Sequence, residues 1–427
     1  MKQLLLLLSV TLLFVACGSD GPTPTPTPPT PPTPARRTVV VYMAAENNLS
    51  SDSRDNLNSM ITGRRQVGDD ENLVVFVDRA DPQEKPFIAR ITKDATNPVD
   101  TLYKYSEDFY ASDPDMFLDV LRRAVQLCPA TEDYALVLWG HANGWAIEKN
   151  AFDAPAPSTA RHRAYGIDSG SNLATMTGKW MNIPTLRKAL EQMLPLKWKF
   201  IFCDCCNMQC AEVAYELRDV CDYLIASPAE ITGSGAPYRT MLKDLFIHDD
   251  ADMYTAICTD YHAQRTYYLN RGEEHLPISA VLTAKMSDLA QATHIVLPAI
   301  AAYLQTPDAL DGLIYYYAYN KNLNEEKVMY DMNDVVRTAL GGESSAYQQW
   351  KAVFDEAVLS PKKSSLWHGI TILFNDFPVT DDWNERQGVL SMFFPMAKYA
   401  LTPSHKYNDD IKQMAWYDVV GWADVGR

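Results

Sequence analysis

The chain has 427 residues, with 38 Lys and Arg against 54 Asp and Glu, giving a formal charge of −16. An apolar fraction of 47% beside 22% charged residues supports a large core and excludes wholesale disorder. The acidic balance lacks the basic face of a general nucleic-acid binder, and the length fits one large α/β domain or two to three domains.

Residues 1–16 read as a signal peptide. Lys2 supplies the positive start, and Leu4 to Ala16 is an apolar run broken only by Ser9 and Thr11, too short for a stop-transfer helix. It ends Phe14-Val15-Ala16-Cys17, which resembles a bacterial lipobox with Cys17 as the lipidated residue, although Phe14 stands where Leu is usual. An ordinary secretory signal cleaved nearby is the alternative. Cleavage removes one lysine, and the lipids on Cys17 satisfy the need for more than one chain in stable anchoring. Residues 22–34 hold eight prolines and five threonines. Proline fixes φ and removes donors, so residues 17–36 are expected to be a polyproline stalk reaching roughly 60 Å. The globular part is then expected outside the cytoplasm, tethered by lipid to a bacterial membrane, at the outer membrane or cell surface.

Alternating strands and helices follow. Arg37–Met43, Asn72–Val77, Tyr134–Trp139, Trp198–Asp204 and Tyr223–Ala226 are short, β-branched or aromatic runs expected to be buried strands. Between them, 51–61, 113–128, 184–193 and 208–218 are expected helices. Such βα alternation implies an α/β fold with a mostly parallel sheet flanked by helices on both faces. Residues 146–182 are expected to be a long exposed, functional loop. Later, 250–268 and 286–304 are expected helices, 277–283, 368–374 and 388–394 strands, and 408–422 a closing helix. Residues 37–240 are taken as the core and 241–427 as an added C-terminal subdomain packed on it. After Cys17, seven cysteines remain, an odd number with four crowded into residues 203–210, so few or no disulfides are expected.

The chemistry gathers at two strand ends. Tyr134–Trp139 runs into Gly140-His141-Ala142, and Trp198–Asp204 runs into Cys205-Cys206-Asn207. Ligands of open parallel sheets bind beyond the carboxyl ends of the strands. An imidazole and a thiol would meet there, and an imidazole raises the thiolate fraction of a thiol that is otherwise mostly protonated. Cys206 is read as the first residue of the following helix, whose dipole would also favour thiolate. Cys203, Cys205 and Cys210 are read as core thiols. A zinc site from these cysteines and His141 is disfavoured, because no paired CxxC or Cys/His knuckle is present. No GxSxG elbow supports a serine hydrolase, and no P-loop or GxGxxG supports nucleotide binding.

Taken together, Thr38–Leu49 (TVVVYMAAENNL), Trp139–Trp145 (WGHANGW), Phe202–Met208 (FCDCCNM) and Ala211–Pro228, with Gly388–Pro395 and Asn408–Trp422, resemble the clostripain family of cysteine peptidases. Coverage is roughly residues 37–427. The resemblance implies a caspase-like fold and an endopeptidase acting on protein or peptide substrates. It places the catalytic residues at Cys206 and His141, with the N–H groups of Ala142 and Cys206 as the oxyanion hole. It also implies cleavage after Arg or Lys, with Asp204 in the substrate pocket. The family's second pocket acid falls on Ser234, where the acid is missing, and Glu230 stands close by as a substitute. Ala142 replaces a family glycine, which would matter if positive φ were required there. Self-cleavage after Lys149, Arg161 or Arg163 is implied, giving two associated chains, and the protein is expected to be a monomer. No cofactor is expected. Some relatives use calcium, but Asp168-Ser169-Gly170-Ser171-Asn172 lacks the later Glu of a calcium loop and reads as a turn. Two alternatives stay open: a peptidase with non-basic preference, and an inactive surface lipoprotein that binds peptide or glycan.

Overall fold

Strand β1 (Ala35–Ala45) carries an almost unbroken apolar run because both of its faces are covered. Val39, Val41 and Met43 feed one core, and Val40, Tyr42 and Ala44 feed the other. These features come from a computed structural model, which describes residues 34–149, 151–152, 164–174, 178–263, 265–267, 273–306, 308–319, 326–365, 367–368, 373–374, 380–400 and 406–426. The signal peptide, Cys17 and nearly all of the stalk lie outside the described residues. The stalk's expected end at residue 36 is corrected, since β1 already begins at Ala35.

The main sheet has nine strands: β1, β2 (Asn72–Arg79), β3 (Phe87–Ile91), β4 (Val99–Lys104), β5 (Ala130–Trp139), β6 (Trp198–Asp204), β7 (Cys221–Ala226), β8 (Ile278–Leu282) and β9 (Val358–Lys362). Their spatial order is β9-β8-β7-β6-β5-β1-β2-β3-β4. The five central strands, β7 to β2 in that order, are parallel, and each edge is completed by two antiparallel strands. The chain passes from β1 to β2 on one side and returns to β5 on the other. The gap beyond the carboxyl ends of β1 and β5 is therefore the topological switch point.

Helices α1 (Ser50–Gly63), α2 (Pro114–Leu127), α3 (Ile183–Glu191) and α4 (Ala211–Glu216) follow β1, β4, β5 and β6 respectively. Helix α2 shows why its sequence starts there. Asp113 accepts from the N–H groups of Asp115 and Met116 at 2.9 and 3.2 Å, and Pro114 occupies the first turn, where no N–H is needed. Its Phe117, Val120, Leu121 and Ala124 lie in one core, together with buried residues of α3, α4 and the helix Met286–Tyr303. The opposite core takes Met60 of α1 and Met253 and Ile257 of the helix Asp250–His262.

Several expectations are corrected. Residues 208–218 do not form one helix; 205–210 make a turn, α4 begins at Ala211, and Leu217–Asp219 is a tighter helical turn. The 146–182 segment is not simply an exposed loop: Ala146, Ile147, Ala164 and Trp180 are buried, and Tyr165–Asp168 pairs with Lys179–Met181. The helix expected to reach residue 268 stops at His262, and Arg265–Tyr267 instead pairs with Glu273–His275. The strand expected over 368–374 is two short antiparallel strands, Trp367–His368 and Leu373–Phe374. The 388–394 strand shrinks to Ser391–Met392, and the closing helix is broken into short turns that end at Gly421.

A boundary at residue 240 does not divide the sheet, because β8 and β9 come from beyond it, and residues 33–427 form one unit. The C-terminal half also braces the turn after β6. Gln209 donates to Ser279 at 2.8 Å and its carbonyl accepts from the Ser391 N–H at 3.0 Å, while Glu212 accepts from the Phe393 N–H at 2.7 Å. No helix among the described residues is long and apolar enough to cross a membrane.

Candidate active site

The carboxyl ends of β1, β5 and β6 converge on one pocket of about 120 Å³. His141 follows β5, Cys206 follows β6, and Leu49 follows β1; all three line it. The approach of the strand ends depends on Gly140, which has φ +141° and carries its N–H to the Asp204 carbonyl at 3.4 Å. A Cβ on Gly140 would stand 3.0 Å from the Ala44 carbonyl oxygen of β1, so glycine lets β1 and β5 close beneath the imidazole.

His141 is held from two sides. Its carbonyl accepts from the Gly166 N–H at 2.7 Å, and its Nε2 lies 2.8 Å from Asn48 Oδ1. An amide oxygen only accepts, so Nε2 carries the proton and Nδ1 is the basic nitrogen of the neutral ring. Asn48 itself sits on a turn fixed by Asn47, whose side chain donates to the carbonyls of Ala44 and Ile167 and accepts from the Leu49 N–H. The acidic-Asn-Asn-Leu signature carried this residue, but strand spacing alone gave it no role.

Cys206 is the one cysteine among the described residues that is not buried; the other six are, and all seven are free thiols. Its Sγ accepts from the Ile231 N–H at 3.3 Å. The next residue, Asn207, has φ +60°, and its side chain donates to the Pro228 carbonyl at 2.9 Å. This left-handed turn swings Cys206 over the rim while Cys203 and Cys205 point into the core. The expected helix-dipole contribution is corrected: α4 starts five residues after Cys206. Burial pushes the Cys205 and Cys210 thiols well up, which suits core residues rather than nucleophiles. The cysteines and His141 do not converge as metal ligands among the described residues.

Ala142 is buried and does not have a positive φ. Its bridge to Tyr165 is carried by the neighbouring Asn143 and Gly166 N–H groups. The Ala142 N–H therefore points away from that strand, and alanine in place of glycine costs no backbone strain.

Asp204, at the end of β6, lines the pocket and is 2% exposed. Its Oδ2 accepts from the Tyr238 hydroxyl at 2.6 Å and the Ala236 N–H at 3.0 Å, whereas Oδ1 is buried with no partner. Burial raises its pKa to about 6 against the opposing pull of those two bonds. Gly235, at φ +63°, leaves room for this carboxylate; a Cβ there would be 2.9 Å from Oδ2. Glu230 is buried and lines the same pocket, alongside Ile231 and Thr232. Ser234 does not line it: the residue is exposed and its hydroxyl bonds Thr232 at 2.7 Å. Lys149 is half-buried, and Arg161 and Arg163 lie outside the described residues.

The clostripain family model matches residues 41–425. The chain belongs to the clostripain family. It is accordingly a cysteine peptidase, and its helix-flanked, mostly parallel sheet is the caspase-like arrangement expected of such a member. Among solved structures, it is similar to a secreted C11 cysteine protease from Bacteroides thetaiotaomicron in complex with an irreversible peptide inhibitor. That match has 26% identity and a TM-score of 0.71, covering 91% of this chain and 100% of the other. An inactive zymogen C11 protease from Parabacteroides distasonis matches at 24% identity and a TM-score of 0.68, covering 91% and 99%. A further secreted C11 protease from Bacteroides thetaiotaomicron, iotapain, matches at 20% identity and a TM-score of 0.69, covering 91% and 100%. The last two likenesses bear on the fold. No curated protein matches the chain.

Proposed function

We propose that this clostripain-family peptidase is an endopeptidase that cleaves after Arg or Lys, with Cys206 as nucleophile and His141 as general acid and base. The observation that carries this reading is that Cys206, His141 and the buried carboxyl of Asp204 all line one pocket. The Cys206 thiol passes its proton to His141 Nδ1 as sulfur attacks the scissile carbonyl carbon. The N–H groups of Cys206 and Ala142 receive the oxyanion. The imidazolium then protonates the leaving amine, the C–N bond breaks, and an acyl-enzyme remains. Water attacks that thioester, giving its proton back to His141 as the sulfur leaves. Asp204 and Glu230 supply the negative pocket for a basic side chain, and the unpartnered Oδ1 of Asp204 is an acceptor that a guanidinium can satisfy. The test is a peptide panel with varied P1, run on the wild type beside Cys206→Ala.

Asn48 acts as a positioning residue by keeping the proton on Nε2. Asn48→Ala is expected to lower kcat/KM roughly tenfold. Asn48→Asp should recover part of the loss and raise the acidic pKa of the pH–rate profile, because a carboxylate stabilises the imidazolium. An Asn48→Ala enzyme with an unchanged rate would remove this role.

The lipobox-like end of the signal and the proline-rich stretch support anchoring through Cys17, and the relatives described as secreted agree with a place outside the cytoplasm. Cys17→Ser should move the protein from the membrane pellet to the soluble fraction on cell fractionation. Self-cleavage at Lys149, Arg161 or Arg163 would appear as two fragments in the mass of the active enzyme.

A further inference from the structure

Helix α1 buries Ser53, Asn56, Met60 and Gly63, a stripe at helical spacing that turns inward. Met60 joins the core on that side. Asn56 stands at a position that the helical period gives to an apolar residue, and it is 2% exposed. Its Nδ2 donates to the Asp52 carbonyl at 2.9 Å. That bond fixes which way the amide faces, because only the nitrogen can donate. The oxygen, Oδ1, is then buried with no hydrogen-bond partner. A buried acceptor left unfilled is costly, so an asparagine on this stripe calls for a reason.

The place of this oxygen supplies one. A Cβ on Gly235 would stand 2.5 Å from Asn56 Oδ1 and 2.9 Å from Asp204 Oδ2. The asparagine and the aspartate therefore sit side by side against one glycine. Gly235 and Asp204 both line the pocket that holds Cys206 and His141. Asp204 Oδ2 is taken by the Tyr238 hydroxyl and the Ala236 N–H, while its Oδ1 has no partner. Among the described residues no Arg or Lys is ion-paired to Asp204. This side of the pocket thus carries two buried acceptors without donors, one on a charged group from β6 and one on a neutral group from α1. A guanidinium has five N–H groups in a planar fork, so one terminal nitrogen can meet Asp204 while the other meets Asn56. An ammonium has three N–H groups on a single nitrogen and acts as a point charge. Placed against Asp204, it leaves the Asn56 oxygen bare, and a site built to hydrogen-bond a group discriminates against an analogue that leaves its polar atom unpaired.

We propose that Asn56 is a specificity-determining residue of this peptidase: its Oδ1 accepts a hydrogen bond from the guanidinium of a P1 arginine held by Asp204, and so favours Arg over Lys. The inference rests on the reading of the Asp204 pocket as the seat of a basic P1 side chain. The carboxylates of Asp204 and Glu230 supply charge, which serves either cation. The neutral oxygen of Asn56 supplies direction, which serves only the fork.

The test measures kcat/KM on matched peptides that differ only at P1, carrying Arg, Lys or Met, for the full chain and for Asn56→Leu. The wild type is expected to favour Arg over Lys roughly tenfold or more. Asn56→Leu keeps the volume and removes the oxygen. It should lower kcat/KM for P1 Arg roughly tenfold, leave P1 Lys and P1 Met within about twofold, and bring the Arg-to-Lys ratio close to one. If Asn56→Leu does not fold, Asn56→Ala must show the same collapse of the ratio. A variant that loses activity on all three peptides alike would make Asn56 a support for the helix and overturn the proposal. So would a wild type that favours Lys. A wild type that cleaves after Met and after neither basic residue would remove the basic pocket and this role together, whereas a wild type that favours Arg with a ratio unmoved in the variant would remove the role of Asn56 alone.

Discussion

Cys206→Ala is expected to reduce kcat/KM by at least about 10³-fold on every substrate the wild type cleaves, with Tm almost unchanged. The size follows from removing the nucleophile itself, which leaves only binding and oxyanion stabilisation. The small structural effect follows from the environment: the sulfur is partly exposed, and it meets the Ile231 N–H at 3.3 Å and the Ile231 carbonyl at 3.8 Å. Losing such contacts costs little. None of the other six described cysteines can take over, because all are buried. His141→Ala should be about as damaging, and the double variant no worse than either single one, since the two side chains act on one proton. An alanine variant that still turns over any peptide of the panel would end the Cys206 assignment. A wild type and variant that are equally silent across the panel would favour a peptide- or glycan-binding role.

The parallel strands were legible because strands covered on both faces need continuous apolar runs, and β1, β2, β5, β6 and β7 have them. The edges were not. β4 is only partly buried, and the hairpin of β3 and β4 alternates Arg90, Asp100 and Lys104 with its apolar positions, so no run stands out. The rim could be located from strand ends alone, and His141 and Cys206 both line the pocket there. What lay hidden was set by tertiary contact. The positive φ of Asn207 separates Cys206 from α4, and no periodicity signals a six-residue turn between strand and helix. The contact of Asn48 with the His141 ring joins residues 93 positions apart. Asp78 looks like any acid at a strand end until the fold places two more carboxylates against it. The doubt over Ala142 came from a family glycine, and it was resolved by a backbone that alanine adopts freely.

Asp204→Asn is expected to cost roughly 10²-fold or more in kcat/KM for P1 Arg, and far less for an uncharged P1 of similar size. Removing one charged partner leaves the substrate's guanidinium desolvated without compensation, a loss of about 2–5 kcal/mol. Asparagine preserves an acceptor for the Tyr238 hydroxyl and the Ala236 N–H, so the pocket keeps its shape. The pH dependence separates this reading from a structural one. Burial raises the Asp204 pKa to about 6, so the free enzyme loses the pocket charge as pH falls through that value. The ratio of Arg to uncharged-P1 specificity should fall below about pH 6 in the wild type and stay flat in the variant; His141 affects both substrates alike and cancels from the ratio. For stability the sign is opposite. A carboxyl whose folded pKa lies above its unfolded value of 3.8 binds its proton more tightly when folded. Its ionisation therefore destabilises the protein fully above pH 6, and that cost disappears as pH falls towards 4. Asp204→Asn should then unfold at a higher temperature than the wild type at pH 8 and lose that advantage near pH 4, while being the weaker enzyme on basic substrates. A variant that is both less stable at pH 8 and equally impaired on all P1 residues would make Asp204 a buried support for Tyr238 and not the recognition element for a basic side chain.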